Sequence, residues 1–567
     1  MKKNFFLPVI IFGILNGIVN GDPVVKTKYG DIQGFEFKAE RGSEAEVFLG
    51  IPFAKAPLGE LRFEKPQPLD PWEKTFEAKQ SASPCLAWPD LLNPNGTEDC
   101  LYLNIIRPKE PSEDPEGYPV MVFIHGGAFL MGSSLDSNYE RAADRLVSKG
   151  VIFVAPQYRL GPFGFYTSGD SEAPGNYGIW DQIEALKFVQ KVIKEFGGNP
   201  SKTTIFGESA GGASISLLSV TPEAESLFSK SIPMSGSALS SWALSERTFL
   251  NSGKLEKASN CLGSSKEKKA CLKKKTSKDL MEAQKTFIHH AIPPDSMLAS
   301  TFNPRIDGVL FENKDFEEIY SFREKKHVFI GICSMEDIIF GIKNPIMKSE
   351  GKYLPLDPEV AANLDETSFK VNVNALFSQN NAYGKQKEKA IQKIIEFYLE
   401  HSSKYSHHKI FQTYIELFSD LHFNIPALRE ALIKTHFGHT VYFYLYDFAP
   451  FPNPLVDGAS HAADVMALFG GNFLMPNIPL QGDYGTTVEV FTDLLVNFAK
   501  TGVPKSGDLE VPKTEKNKVP FIQVNQNPKI GNDLWKEKLE FWNNLAEEFG
   551  FDWPSAKWIG KEDKDEL

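Results

Sequence analysis

Gly207-Glu208-Ser209-Ala210-Gly211 follows the apolar, β-branched run Thr203-Thr204-Ile205-Phe206 and opens a stretch of small residues reaching Ser216. A serine held as G-x-S-x-G between a strand and a helix sits on a sharp, strained turn, the nucleophile elbow. Only small residues fit beside such a turn. Its strain lifts the Ser209 Oγ clear of the sheet and presents it to a substrate. Glycine and serine are abundant, so the pattern alone is weak. Three further features support it.

The first lies upstream, in Met121-Val122-Phe123-Ile124-His125-Gly126-Gly127-Ala128-Phe129. An apolar strand runs into a His-Gly-Gly loop whose backbone N–H groups can face a cavity unobstructed by side chains. Acyl transfer needs such donors, because the attacked carbonyl oxygen gains charge in the transition state. The candidates are the N–H groups of Gly126 and Gly127, with that of Ala210, the residue after the nucleophile.

The other two are an acid and a base, which follow such a serine in that chain order. Eleven histidines are present. His401, His407 and His408 fall in a polar stretch that reads as the end of a solvated helix. His436 and His439 precede the strand Val441–Tyr446 and so lie at its wrong end. His461 lies beyond that strand, in the small-residue loop Asp457-Gly458-Ala459-Ser460-His461-Ala462-Ala463, where an imidazole can turn between acid and serine. For the acid, the strand Val328–Cys333 ends at Ser334-Met335-Glu336-Asp337. Either carboxylate can reach inward, which leaves the other as surface charge. Spacing does not separate them. A histidine base at its ordinary pKa predicts that kcat/KM falls below about pH 6.

Glu98-Asp99-Cys100-Leu101-Tyr102-Leu103-Asn104-Ile105, the His-Gly-Gly loop and Phe206–Gly212 together resemble the type-B carboxylesterase/cholinesterase family of α/β-hydrolases. So do Phe196-Gly197-Gly198-Asn199-Pro200, Asn497-Phe498-Ala499-Lys500-Thr501-Gly502 and Gly50-Ile51-Pro52-Phe53-Ala54. These marks run in the family order across nearly the whole chain. The resemblance implies an α/β fold with a mostly parallel central sheet and helices on both faces. It implies a Ser209, Glu336 and His461 triad, the family's glutamate standing five residues after the strand glycine, here Gly331. It implies a serine esterase working through an acyl-enzyme, without cofactor. Ala463 and Asp464 stand where the family usually has Asp-Glu, a departure beside His461.

The catalytic pieces span residues 126 to 461 and must meet in one site, so residues 22–555 read as one domain. Alternating strands and helices around the elbow independently argue for a mostly parallel sheet covered on both faces. A formal charge of −12 argues against nucleic acid and anionic membranes as partners. No His/Cys/carboxylate cluster has metal-ligand spacing, so no metal is expected. Lys266 to Lys278 holds seven lysines and reads as a solvated loop.

Lys2-Lys3 precede the apolar run Phe5–Leu15, with small residues near Gly21, which reads as a signal peptide over 1–21. That run is too short to span a membrane, and no other stretch approaches the length required. Residues 556–567 read as a charged tail ending in Lys564-Asp565-Glu566-Leu567. That tetrapeptide is the address read by the KDEL receptor for return to the endoplasmic reticulum lumen. An oxidising lumen permits disulfides. Four of the five cysteines allow three pairings; short loops, and the resemblance, favour Cys85 with Cys100 and Cys261 with Cys271. Cys333, within an apolar strand, reads as an inert core thiol. Asn95-Gly96-Thr97 is a glycosylation sequon.

The expected function is hydrolysis of carboxylic esters with broad specificity, as in the family's gut and liver esterases retained in the secretory path. A cholinesterase or lipid-ester hydrolase is the alternative. The family's choline binders carry an indole in a longer loop between the first two cysteines, whereas Trp88 lies three residues after Cys85 and reads as packing at the loop base. A non-catalytic adhesion protein of the same fold is a further alternative, opposed by the presence of all three triad residues. Natural ester, acyl length and oligomeric state stay open.

Overall fold

The computed structural model describes residues 21–87, 95–287, 301–312, 314–343, 353–379, 382–470 and 479–559. The signal-peptide stretch up to residue 20, Trp88 and Lys564–Leu567 lie outside them. Among the described residues eleven strands form the main sheet: β1 (Phe35–Lys38), β2 (Glu44–Pro52), β3 (Tyr102–Pro108), β4 (Tyr118–Ile124), β5 (Ile152–Pro156), β6 (Gly198–Glu208), β7 (Lys230–Met234), β8 (His327–Cys333), β9 (Thr440–Tyr446), β10 (Phe521–Val524) and β11 (Lys529–Gly531). Their spatial order is β11-β10-β9-β8-β7-β6-β4-β5-β3-β2-β1. From β5 through β10 every neighbouring pair is parallel. The antiparallel pairs lie at the two edges. This is the mostly parallel sheet expected.

Side chains alternate across the pleat, so each central strand feeds two cores. Val120 and Val122 of β4 join one apolar cluster, and Met121 and Phe123 join another on the opposite face. Likewise β9 sends Val441, Phe443 and Leu445 to one side and Tyr442, Tyr444 and Tyr446 to the other. Helix α1 (Tyr177–Val192) and α2 (Ala210–Leu218) cover the first face with Ile183, Val189 and Ile215. Residues Gly482–Thr501 form a helix on the reverse face, burying Phe491, Leu494 and Phe498. A sheet buried on both faces explains why its strands read as nearly continuous apolar runs.

Two expectations need correction. The lysine-rich stretch is no loop: Ser265–Lys274 and Ser277–Lys285 are helices. Each starts at a capping box, Ser264 with Glu267 and Thr276 with Asp279, a signature visible in the sequence. Leu272 and Leu280 anchor their inner faces, while Lys268 pairs with Glu256 and Lys273 with Glu64. Asp337, the carboxylate left for the surface if Glu336 turns inward, is fully buried instead and bonds His422.

Disulfides join Cys85 to Cys100 and Cys261 to Cys271. The first closes a sequence separation of 15, a loop whose closure costs the unfolded chain about 3 kcal/mol of entropy. Cys333 is free and buried, and burial pushes its thiol well up. Asn95 is exposed.

Candidate active site

The site gathers at the carboxyl ends of β6, β8 and β9, where open parallel sheets place their ligand crevices. Ser209 follows β6 directly and precedes α2. It holds φ 58°, ψ −123°, a region that costs a non-glycine residue strain. Its N–H donates to Met234 O at 2.9 Å, and its carbonyl accepts from Ala213 N–H at 2.8 Å. The turn is tight enough that a Cβ on Gly211 would stand 2.0 Å from Ile124 O. The strand–turn–helix read from the sequence is therefore present, and its strain takes the form of a positive φ at Ser209.

The loops that carry Glu336 and His461 are stitched together by hydrogen bonds from backbone N–H groups. Met335 N–H donates to Ala459 O at 2.9 Å, Ala459 N–H to Ser334 Oγ at 2.8 Å, and His461 N–H to Glu336 O at 3.1 Å. The side chains then meet: His461 Nδ1 and Glu336 Oε2 are 2.5 Å apart. Glu336 is fully buried, and its Oε1 accepts from Ser235 Oγ–H at 2.6 Å and Cys333 N–H at 2.6 Å. A carboxylate held by two other donors fixes the direction from which it grips the imidazole. Asp337 does not reach His461; it bonds His422 instead.

Glu208, the variable residue inside G-x-S-x-G, was given no role by sequence. Its carboxyl Oε1 lies 3.1 Å from His461 Nε2, although neither atom is aligned for a hydrogen bond. The structure therefore brings Glu336, His461 and Glu208 into contact. Ser209, the next residue, makes no side-chain hydrogen bond among the described residues. Burial pushes the Glu208 carboxyl up to about 8; His461 opposes that shift, and Asp464 and Glu336 reinforce it. For His461, burial disfavours the charged form, but Glu208 and then Glu336 outweigh it and raise the imidazole to about 9.

Asp464, where the chain departs from the family pattern, is also buried, and accepts from Tyr444 Oη–H at 2.8 Å. Burial raises its carboxyl to about 6. Only the register of β9 puts Tyr444 under this helix turn, so no local sequence signal marks the pair.

The His-Gly-Gly loop packs directly on the elbow: a Cβ on Gly126 would stand 2.7 Å from Glu208 O and 3.0 Å from Ser209 Cβ. The N–H groups of Gly126, Gly127 and Ala210 have no acceptor among the described residues. His125 stacks on Tyr158 with ring centroids 4.4 Å apart. Burial lowers its pKa to about 4, so it stays neutral at the mouth of the loop. Phe423 and Phe340 pack against the His461 ring at 4.6 Å and 5.6 Å. Among the described residues no cluster of His, Cys, Asp and Glu could hold a metal ion.

The family model of the carboxylesterase family matches residues 21–542. "Gut esterase 1" of Caenorhabditis briggsae is 35% identical over 566 residues, covering 96% of this chain and 97% of that protein. "Carboxylesterase 5A" of Mus musculus is 32% identical over 561 residues, covering 94% and 91%. Among solved structures, PNB esterase superposes with a TM-score of 0.72 at 27% identity, covering 92% of this chain and all of that one. The chain belongs to the carboxylesterase family and is a carboxylic ester hydrolase.

Proposed function

We propose that Ser209, His461 and Glu336 are the catalytic triad of a broad-specificity serine esterase. The observation that carries this reading is the 2.5 Å contact between His461 and Glu336 beside a serine on a strained elbow. Ser209 Oγ attacks the ester carbonyl, forming the C–O bond while His461 Nε2 takes its proton. Glu336 fixes the imidazole tautomer and stabilises its charge. The N–H groups of Gly126, Gly127 and Ala210 bind the oxyanion. On collapse, His461 returns the proton to the leaving alcohol, and water activated by the same histidine frees the acyl-enzyme. For Nε2 to serve Ser209 the imidazole must turn from Glu208, a movement of the kind that tightens catalytic bonds when substrate arrives.

Ser209→Ala and His461→Ala should each lower kcat on a simple aryl ester by on the order of 10⁴- to 10⁶-fold. Near-native turnover of Ser209→Ala would end this reading. A panel of short and long acyl esters would define breadth, and inhibition by a quaternary ammonium ligand would favour a cholinesterase.

The same reading extends to residence and organisation. Residues 22–555 work as one domain, since the catalytic groups come from three strands of one sheet. Residues 1–21 direct the chain into the secretory path, Asn95 carries a glycan, and Lys564, Asp565, Glu566 and Leu567 return the enzyme to the endoplasmic reticulum lumen. Among the described residues no helix is long and apolar enough to cross a membrane.

A further inference from the structure

Behind the acid lies a second buried carboxyl. Asp337 Oδ1 accepts from His422 Nδ1–H at 3.0 Å, and Asp337 N–H donates to Ser419 Oγ at 3.0 Å. His422 belongs to a single π-helical turn, Asp420–Asn424, set between the helices Lys409–Ser419 and Ile425–His436. Such a turn inserts a residue into the helical register and recurs at functional sites. Here the change in register lets two consecutive side chains do different work. His422 reaches Asp337, while Phe423 packs against the His461 ring at a tilt of 39°, with centroids 4.6 Å apart.

The turn is held elsewhere as well. Asp420 accepts from Tyr398 Oη–H at 2.8 Å and from Lys538 Nζ at 3.0 Å. His422 O accepts from Trp242 Nε1–H at 2.9 Å. These bonds fix the back of the turn and its backbone. The Asp337 bond ties its front to the loop that carries the catalytic acid.

The contacts close a ring. Glu336 bonds His461; the His461 ring packs on Phe423; Phe423 follows His422; His422 bonds Asp337; Asp337 follows Glu336. We propose that His422 and Asp337 are positioning residues that hold Phe423 against the His461 imidazole, limiting the swing of the base between Glu208 and Ser209. A directional hydrogen bond sets where the neighbouring ring sits, which apolar packing of equal volume does less strictly. The inference rests on the triad reading above, because it assigns a task to motion of His461.

The test is a double-mutant cycle on the full chain, with active sites counted by the acyl-enzyme burst so that unfolded protein drops out. His422→Leu keeps volume but cannot donate; His422→Asn keeps a donor near the Nδ1 position; His422→Ala replaces His422→Leu if that variant does not fold. Expected is a fall of about tenfold in kcat per active site for His422→Leu, a rate cost typical of a slightly misplaced catalytic group. KM should stay within about twofold, and His422→Asn should recover most of kcat. Phe423→Ala should show the same fall, with the double variant no slower than Phe423→Ala alone, as expected of residues acting in series. Unchanged kcat per site in His422→Leu, additive losses, or no recovery in His422→Asn would each overturn the inference. Turnover retained by Ser209→Ala would instead overturn the triad. An inactive Ser209→Ala with an unaffected His422→Leu removes this proposal and leaves the triad standing.

Discussion

The Glu208 carboxyl lies 3.1 Å from His461 Nε2, so the residue preceding the candidate nucleophile touches the imidazole nitrogen that takes the nucleophile's proton in the proposed mechanism. Two carboxyls therefore flank one histidine, Glu336 on Nδ1 and Glu208 on Nε2. One is held by Ser235 and Cys333 N–H, while the Oε1 of the other makes no hydrogen bond among the described residues. That asymmetry separates their roles. In the proposed mechanism the first orients the imidazole and the second tunes it.

A pH profile reads the tuning. The base must be neutral to accept a proton, and His461 is raised from the ordinary 6.5 to about 9. A raised base pKa keeps the histidine charged to higher pH, so kcat/KM must fall as pH drops through a limb centred above 6.5. This moves the limb upward from the pH 6 expected of an ordinary imidazole. Glu208→Gln removes the largest attraction on the imidazole and should shift the limb downward. A wild-type limb at or below 6.5, with no movement in Glu208→Gln, would refute the assignment.

The acid can be told from its neighbour by activity. Glu336→Gln should leave the fold intact and cut kcat by orders of magnitude, through a misoriented imidazole. Asp337→Asn, which keeps an acceptor for His422 and has no contact with His461, should stay near wild type. The opposite ranking would place the acid one residue later.

Ser235 should matter through Glu336. Ser235→Ala removes one of two donors to Oε1 but leaves Cys333 N–H in place. The expected loss in kcat is about tenfold, the scale of a single charge-assisted hydrogen bond, with little change in KM. Equal losses in kcat and in active-site count would mean that Ser235 serves folding alone.

Residence gives a test independent of chemistry. Residues 561–566 are charged throughout and cannot bury apolar area. Deleting Lys564–Leu567 should leave specific activity unchanged and move the enzyme from cell lysate to medium. Full retention of the truncated enzyme would require another anchor.

The sequence alone determined what short-range geometry demands. A serine between small residues after a β-branched run suggests the elbow, and the structure supplies the reason for the small residues, since a Cβ on Gly211 would strike Ile124 O. The apolar runs of β4, β8 and β9, short and set among helical segments, are what strands of a sheet buried on both faces look like. The capping boxes at Ser264 and Thr276 were equally local and show that the lysine-rich helices were legible too; lysine density masked them. Tertiary structure decided what depends on which distant chain segment arrives opposite a side chain. Glu336 and Asp337 are neighbours of one chemistry, and spacing could not choose between them. Pairing β8 with β9 brings the His461 loop over Glu336, and the π-turn at Asp420–Asn424 brings His422 to Asp337. Glu208 meets His461, and Tyr444 meets Asp464, for the same reason. Each is a contact between segments far apart in the chain, set by strand register and loop packing, and no local pattern of residues encodes it.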